Sequence, residues 1–416
     1  MAGQRSQVPL DWARDWIQVA YDLTWHNTAV GRFGPTPPDA ARCYAYLSIA
    51  MYEACVAGMP KHRSLAGQLN GLRDGPVARG PVDFPLALTG AAHAMATGIY
   101  PRAVDADVAA LASLRASQVA ARRAAGVKEA AVTASLRYGM AVASWLLDWV
   151  SRDGHGEIVA LPYTPPVGEG LWESTPPNYR PAIEPHWSAI RPMAMRTADE
   201  VDPEPHIPFS PEPGSPFHEQ AMVPYRVSAT LTDEQRAIAR FWTDNPLLSG
   251  LPSGHWLLAV GGAAQQRGMA LADLLEAYAR CAIALHDAFL SCWTHKYRTN
   301  LLRPVTYINR YVDPTWSTFV NTPQFPEYTS GHSVSSMAAA TVLTDLLGSF
   351  PYIDDSHRDR AMPARAYGSF TEAAEEAAQS RIFGGIHYPM GIEAGKEQGI
   401  AVGQIVLSRI HTRRRR

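Results

Sequence analysis

The 416-residue chain has little of what marks secreted, membrane-spanning or nucleic-acid-binding proteins. It has four cysteines, none in C-x-x-C spacing, which predicts buried thiols in a reducing compartment rather than a disulfide framework or a zinc site. No stretch approaches the length of about 18 apolar residues that a membrane span requires. The 37 Lys+Arg and 39 Asp+Glu residues give a net charge of −2, so we expect no nucleic acid and no membrane as partner. The first residues lack the apolar core of a signal peptide, and we expect a cytoplasmic protein.

Strand signals are also nearly absent, whereas 46% of the residues are hydrophobic and many are strong helix formers. We therefore expect an all-α fold with two helical bundles, each similar to a four-helix bundle. The N-terminal bundle is expected over residues 1–152 and the C-terminal bundle over residues 231–416. Between them, residues 153–230 are rich in Pro and Gly, and we expect this middle segment to be largely irregular.

The middle segment carries several aromatic residues, which indicates that it packs against other parts of the protein. One interpretation is a structural segment that covers helices or a partner subunit. The other interpretation is a wall of a substrate entrance.

Periodicity and helix breakers predict four long helices in the C-terminal half, over 268–299, 331–347, 370–382 and 391–411. A further helical stretch rich in Ala is expected over 104–150. These helices set the local context of three segments whose side chains are suited to chemistry.

The first segment ends in an Arg-Pro pair. Lys296 and Arg303 are seven residues apart, which places them on one face of a helix that Pro304 is expected to end. Two cations aimed the same way could hold an oxyanion. Such a pair is also common on the solvated face of a helix.

The second segment, FPEYTSGHS at 325–333, precedes a predicted helix. Ser330, Gly331 and His332 therefore lie where free N–H groups and the positive end of the helix dipole point outward, which favours an anion. His332 can exchange a proton with an anion oxygen near neutral pH. Ser330 equally fits an ordinary helix N-cap.

The third segment is SRIFGGIH at 380–387. Arg381 lies near the end of a helix rich in Ala and Glu, which the following glycines are expected to end. His387 then projects from a turn, where a His can act as a nucleophile or a metal ligand. A His in such a place also often serves as a cap or a core residue.

Taken in order, the three segments supply cations, a helix N-terminus, a Ser and two His residues. This combination suits one tetrahedral oxyanion, because cations neutralise it and N–H donors hold its oxygens. One His can attack or ligate the central atom while the other moves protons.

These segments resemble the signature of the type 2 phosphatidic acid phosphatase superfamily, and most closely that of its vanadium-dependent haloperoxidases. Five segments of this chain are similar to motifs of that branch. They are FPEYTSGHS, SRIFGGIHYPMGIEAG, TPPDAARCYAYLSIAMYEAC, LTDEQRAIARFWTDNP and the W-x-x-K-Y segment that contains Lys296. The family order places the anion loop after the Arg-Pro pair. We therefore interpret the earlier Pro-Ser-Gly-His at 252–255 as a turn and N-cap of a helix that starts near Trp256.

The resemblance implies an all-α enzyme that binds vanadate and uses hydrogen peroxide to oxidise halide, which halogenates a small organic substrate. His387 is implied to ligate vanadium, Lys296 to polarise the bound peroxide and His332 to act as the acid–base. The residues implied to hold vanadate are Lys296, Arg303, Ser330, Gly331, Arg381 and His387. Phe325 stands where related chloride-oxidising enzymes carry an aromatic residue, which indicates a place beside the halide. A homodimer is implied, and no haem, flavin or nicotinamide cofactor.

The same residues also fit a phosphatase of this superfamily, in which His387 attacks phosphorus and His332 protonates the leaving oxygen. In the family an Asp that orients the last His usually follows it by four residues, whereas this chain has Gly391 there. That difference weakens the phosphatase hypothesis, and Glu393 is a candidate substitute for the Asp. A protein without catalytic activity is a third hypothesis, against which the complete set of cations and His residues argues.

Overall fold

A computed structural model of the chain describes residues 8–29, 35–100, 103–177, 179–246 and 248–414. Secondary structure in these ranges is helical apart from one small sheet, which confirms the predicted all-α class. No helix there is both long and apolar enough to cross a membrane. The α-helices of the described ranges are α1 (Asp11–Ala29), α2 (Pro37–Val56), α3 (Phe84–Ile99), α4 (Asp105–Ala124), α5 (Glu129–Val150), α6 (His155–Ile158), α7 (Pro216–Ala229), α8 (Asp233–Phe241), α9 (Leu251–Gln266), α10 (Leu271–Thr299), α11 (Pro304–Tyr311), α12 (Gly331–Leu347), α13 (Phe370–Phe383) and α14 (Pro389–Arg409).

The main hydrophobic core contains residues of every α-helix in the described ranges except α7 and α11, whose buried residues form a second cluster with Tyr328 and Tyr388. Helix α2 is buried along nearly its whole length, because it packs against α3 and against the 29-residue α10. The only sheet in the described ranges pairs β1 (Tyr352–Asp354) antiparallel with β2 (Arg365–Tyr367), and β1 lies beside α9. The domain boundaries expected at residues 152 and 230 stay predictions.

Helices α10, α12 and α14 pack together in the C-terminal half. Helix α14 contacts α12 through glycines spaced four residues apart. A Cβ on Gly403 would lie 2.8 Å from the Cβ of Thr341, and a Cβ on Gly395 would lie 3.0 Å from the carbonyl oxygen of Ser330. The absence of side chains at these glycines lets the two helices approach closely, which brings the start of α12 beside the start of α14.

Helix α10 ends where the predicted range 268–299 ends, and it does not continue to Pro304 as the first segment implied. Its last residue is Thr299, and Asn300 caps it in the left-handed conformation with φ 47°. Pro304 begins α11 instead of ending α10, because proline suits the first turn of a helix. The prediction that Lys296 and Arg303 share one helix face is therefore wrong.

The middle segment is mostly irregular, as predicted, but it contains a 14-residue helix that the sequence analysis missed. This helix, α7, begins with Pro216, and the hydroxyl oxygen of Ser215 caps it by accepting the N–H of His218 at 3.1 Å. The high Pro, Gly and Ser content of its surroundings concealed a Ser-Pro helix start.

The middle segment packs on α10. The carboxylate of Asp287 accepts the three consecutive N–H groups of residues 193–195 at 2.7–2.8 Å. Trp172 and Trp187 of the same segment are buried. These contacts support the interpretation of the middle segment as a structural covering of the helices.

Candidate active site

Arg303 and His387 lie in the loops that lead into two helices. Arg303 is the N-cap residue of α11, and His387 lies two residues before α14. The Nη1 of Arg303 donates to Nε2 of His387 at 3.0 Å and to the carbonyl of Ile386 at 2.9 Å. Burial lowers the pKa of Arg303 to about 10. Burial and the charge of Arg303 hold the pKa of His387 well below its usual range, so its ring is neutral.

Glu327 is the carboxylate of this site, and the sequence analysis missed it. Its Oε1 accepts a hydrogen bond from Nδ1 of His387 at 2.7 Å and from the backbone N–H of Tyr388 at 3.0 Å. Burial raises the pKa of Glu327 to about 7, against the opposing effect of nearby cations. One signal could have revealed it, because Glu327 is the only Asp, Glu, Lys or Arg between Asp313 and Asp345.

Lys296 lies in the last turn of α10, and its ammonium group contacts the loop before α12. Its Nζ donates to the carbonyl oxygens of Pro326, Glu327 and Thr329 at 2.9, 2.8 and 2.5 Å. These bonds use all three donors of the ammonium group. Burial lowers the pKa of Lys296 to about 7. A direct bond from Lys296 to an anion would have to replace one of these carbonyl contacts.

Helix α12 begins at Gly331, which places the Ser-Gly-His sequence at a helix N-terminus as predicted. The hydroxyl oxygen of Ser330 caps the helix, accepting the N–H of Ser333 at 3.4 Å and its hydroxyl at 2.9 Å. The backbone N–H of Ser330 donates to the carbonyl of Gly391 at 2.8 Å, which holds the loop against α14. The first N–H groups of α12 have no partner within the helix. Ser330 is thus an N-cap, and its contact with an anion stays a prediction.

His332 is the one predicted site residue that is partly exposed, whereas the other seven are buried. Its Nε2 has no hydrogen-bond partner in the described part of the chain. Burial of the ring, and next the charge of Arg381, lower the pKa of His332 well below its usual range. The nitrogen itself is buried, and a neutral imidazole with an unpartnered nitrogen can accept a proton.

Arg381 lies in the last turn of α13 and is fully buried. Its Nε donates to the hydroxyl oxygen of Ser380 at 2.9 Å, and its Nη2 donates to the carbonyl of Trp242 at 2.5 Å. Burial lowers the pKa of Arg381 to about 10, opposed by the carboxylate of Asp244. The loop after α8 thus fixes the guanidinium group from one side.

The ring of Phe325 lies close to both cations of the first segment. Its centroid lies 5.1 Å from the Nζ of Lys296 and 4.9 Å from the guanidinium carbon of Arg303. The ring also packs on Trp293, with centroids 4.7 Å apart. Phe325 therefore forms an apolar wall beside the buried charges.

The three cations of the predicted site lie close enough to the ring of His387 to act on its pKa. The cations whose charge lowers its pKa are Arg303, Lys296 and Arg381. The three cations and the Glu327 carboxylate leave a formal charge of 3 − 1 = +2 in a buried site. Nη2 of Arg303 has no hydrogen-bond partner in the described ranges. A tetrahedral oxyanion fits these residues, because it would neutralise the excess charge and accept the unpartnered donor.

The earlier Pro-Ser-Gly-His sequence belongs to a different network. Helix α9 begins at Leu251, so His255 lies in its first turns, and the expected turn and N-cap before Trp256 are wrong. Asp244 accepts from Nδ1 of His255 at 2.8 Å, and Asp354 accepts from Nε2 at 3.0 Å. Although burial opposes it, these carboxylates raise the pKa of His255 to about 9. His255 is a buried cation in an ion-pair network.

Two groups of side chains in the described ranges have the spacing of metal ligands. They are Asp244, His255 and His357, and His62, Asp273 and Glu276. The first group is engaged in the ion pairs of His255. In the second, Arg413 pairs with Asp273 at 2.7 Å and with Glu276 at 2.5 Å. Neither group contains a predicted site residue.

Comparison with known proteins identifies the family of the chain. A family model described as the VCPO second helical-bundle domain matches residues 276–415. The crystal structure of the first bacterial vanadium-dependent iodoperoxidase is 34% identical to this chain, with a TM-score of 0.90 and 99% of each chain covered. The chain belongs to the vanadium-dependent haloperoxidases. Holo and apo structures of a bacterial vanadium-dependent chloroperoxidase share the fold, each with a TM-score of 0.67, at 14% and 16% identity, covering 92% of this chain and 93% and 95% of theirs. Among curated proteins, none matches.

Membership of the vanadium-dependent haloperoxidases decides between the hypotheses that the sequence left open. The chain is an enzyme of the haloperoxidase class, and the phosphatase and inactive-protein hypotheses give way to it. The buried charge of +2 and the unpartnered guanidinium nitrogen of Arg303 fit vanadate, which is a tetrahedral oxyanion.

Proposed function

We propose that this haloperoxidase binds vanadate at Nε2 of His387 and uses hydrogen peroxide to oxidise halide. One observation carries the proposal: three buried cations lie near a neutral His whose Nδ1–H is bonded to Glu327, so that the lone pair of the ring is on Nε2. Nη1 of Arg303 donates to that nitrogen at 3.0 Å, so bound vanadate would have to replace this contact.

The cations and the helix N-terminus hold the oxyanion in this proposal. Arg303 and Arg381 are fully buried and rigidly bonded to backbone carbonyls, so their remaining donors are preorganised. The N–H of Gly331 at the start of α12 and the hydroxyl of Ser330 add hydrogen bonds at the positive end of the helix dipole. Lys296 contributes its positive charge and fixes the 326–329 backbone through three carbonyl contacts.

His332 moves the proton in this proposal. Bound vanadate supplies a Lewis acid that keeps its oxidation state and makes peroxide electrophilic toward halide. His332 is neutral and its buried Nε2 is unpartnered, so it can take a proton from hydrogen peroxide in the site. Arg381 lowers the basicity of that ring, which makes proton return to a leaving oxygen easier.

Iodide is the halide that we propose to test first. The support is the 34% identity over nearly the whole chain to an enzyme described as an iodoperoxidase. Phe325 is proposed to bound the halide side of the site, because its ring covers both Lys296 and Arg303. The small organic substrate, the homodimer, the absence of nucleic-acid and membrane partners and the cytoplasmic location stay predictions.

The test is iodide oxidation by hydrogen peroxide, measured on purified protein in phosphate-free buffer with and without orthovanadate. The variant is His387→Ala, and the matched control is His411→Ala, which removes an exposed imidazole. We expect vanadate-dependent turnover in the wild type and the control, and a loss of at least about 100-fold in His387→Ala. Turnover that ignores vanadate, or that survives in His387→Ala, would contradict the proposal. Hydrolysis of p-nitrophenyl phosphate without halide oxidation would favour the phosphatase instead.

A further inference from the structure

We propose that Glu327 is the positioning residue of His387, and that position 391 is glycine because the Glu327 carboxylate fills the space of a side chain there. The carboxylate thus reaches the imidazole from the loop before α12, and not from α14. The proposal rests on the proposed function, since His387 is the residue that would ligate vanadium.

The contacts between Glu327 and the loop before α14 fix the ring. Oε1 of Glu327 contacts Nδ1 of His387 at 2.7 Å and accepts the N–H of Tyr388 at 3.0 Å. Because Oε1 is an acceptor and the ring is neutral, the single ring proton lies on Nδ1. Nε2 is then unprotonated and faces Nη1 of Arg303 at 3.0 Å. The carboxylate therefore sets both the orientation of the ring and the nitrogen that is free to ligate.

The space around Gly391 shows that Glu327 and a side chain at 391 exclude each other. A Cβ on Gly391 would lie 2.8 Å from Oε2 of Glu327 and closer still to Oε1. The backbone of Gly391 is helical and its φ is not positive, so its conformation does not require glycine. Gly391 is the third residue of α14, and glycine is less favourable than alanine in a helix. The contact with the carboxylate is the reason that the structure offers for accepting this cost.

The other nearby acid does not serve this purpose. Glu393 is 65% exposed and pairs with Lys396 at 2.8 Å on the outer face of α14. Glu393, the substitute suggested by the sequence, therefore does not orient His387. Glu327 is fully buried, and its second oxygen, Oε2, has no hydrogen-bond partner in the described part of the chain.

The test moves the carboxylate from one side of His387 to the other. The variants are Glu327→Ala, Gly391→Asp and the double variant that carries both changes. Affinity for orthovanadate and for inorganic phosphate is measured by titration calorimetry. The protonated nitrogen of His387 is identified by ¹⁵N NMR of histidine-labelled protein, with the signal assigned by its loss in His387→Ala.

We expect Glu327→Ala to lower the affinity for both anions by about 10–100-fold and to remove the exclusive Nδ1–H form. Gly391→Asp alone should also lose affinity, because two carboxylates would compete for one space. The double variant should recover at least about tenfold over Glu327→Ala and restore the Nδ1–H form. Glu393→Gln, the matched acid-to-amide control beside Glu327→Gln, should leave affinity unchanged.

Wild-type affinity and an unchanged Nδ1–H form in Glu327→Ala would overturn the proposal. A folded double variant that is no better than Glu327→Ala would also overturn it. If Glu327→Ala fails to fold, Glu327→Gln replaces it. A His387 spectrum and an anion affinity identical to those of the wild type in Glu327→Gln would then overturn the positioning role of the carboxylate. The NMR measurement needs no turnover. If the wild type does not oxidise halide but Glu327→Ala still loses the Nδ1–H form, the proposed function is refuted and the positioning role of Glu327 is not.

Discussion

Single residues of the site hold charge that the protein does not fully neutralise. Burial lowers the pKa of Lys296 to about 7 and raises that of Glu327 to about 7, so both groups change protonation near neutral pH in the anion-free site. A bound anion favours the protonated form of each group, which raises both pKa values above 7. Anion binding is therefore coupled to proton uptake at and above neutral pH.

We expect anion affinity to fall as pH rises through 7. Below pH 7 both groups are already protonated in the free site, so affinity is constant there with respect to them. Above pH 7 binding must add protons, and affinity drops by up to about tenfold per pH unit for each group. The measurement is sulfate binding by calorimetry between pH 6 and 9, because sulfate keeps its charge in this range. Lys296→Met should flatten the profile, and an affinity that rises with pH would contradict the account.

Residue types in sequence order were enough to single out the cations and both His residues as candidates, because each lies in a short segment with a clear pattern. Glu327 could not be predicted, because its partner His387 is 60 residues away and only the fold brings them together. The hypothesis that Glu393 orients His387 was wrong for a related reason. Its proximity in sequence to His387 says nothing about the face of α14 on which it lies.

At the scale of elements, the contact between α12 and α14 positions the site. The glycines of α14 remove side chains from the face that meets α12. The start of α12 carries His332, and the loop before α14 carries His387. The distance between these two His residues is therefore set by how closely the two helices pack.

Gly399→Ala should destabilise the protein by about 1–3 kcal/mol, because the added Cβ would lie 2.9 Å from the Cβ of Met337. The matched control is Gly262→Ala in α9, whose added Cβ would have its nearest neighbour at 3.7 Å. The control should be neutral or stabilising by up to about 1 kcal/mol. Urea unfolding measures both, and equal stability of the two variants would show that α12 and α14 can separate without cost.

The sequence predicted the central parts of the helices more accurately than the residues at which they end. The predicted 331–347 coincides with α12, whereas the predicted 104–150 is two helices, α4 and α5, separated where Gly126 adopts φ 85°. Ala-rich periodicity gave no sign of this break. Asn300 ended α10 four residues before the proline that was expected to do so, because Asn also tolerates the left-handed cap.

At the scale of the whole molecule, the middle segment depends on the helices that it covers. Asp287 of α10 accepts three consecutive N–H groups from it, and the indole Nε1 of Trp293 donates to the carbonyl of Ile183 at 3.2 Å. Composition predicted an irregular segment. The residues through which it contacts the helices could not be predicted, because every residue other than proline has a backbone N–H group and the sequence does not show which of them are bonded.

Asp287→Asn should lower the free energy of unfolding by about 3 kcal/mol, since an amide offers one acceptor oxygen and no charge to three buried N–H donors. Cleavage by a protease should increase near residues 190–200. The matched control is Asp148→Asn, which removes the charge of a 64% exposed carboxylate and should change stability by less than about 0.5 kcal/mol. Unchanged proteolysis in Asp287→Asn would show that other contacts hold the middle segment.

The most direct measurement for the account is a crystal structure of the protein soaked with orthovanadate in phosphate-free solution. We expect vanadium bonded to Nε2 of His387, with the guanidinium groups of Arg303 and Arg381 on its oxygens and Glu327 still bonded to Nδ1. Vanadate bound at the Asp244, His255 and His357 group, or at His387 through Nδ1, would contradict the account.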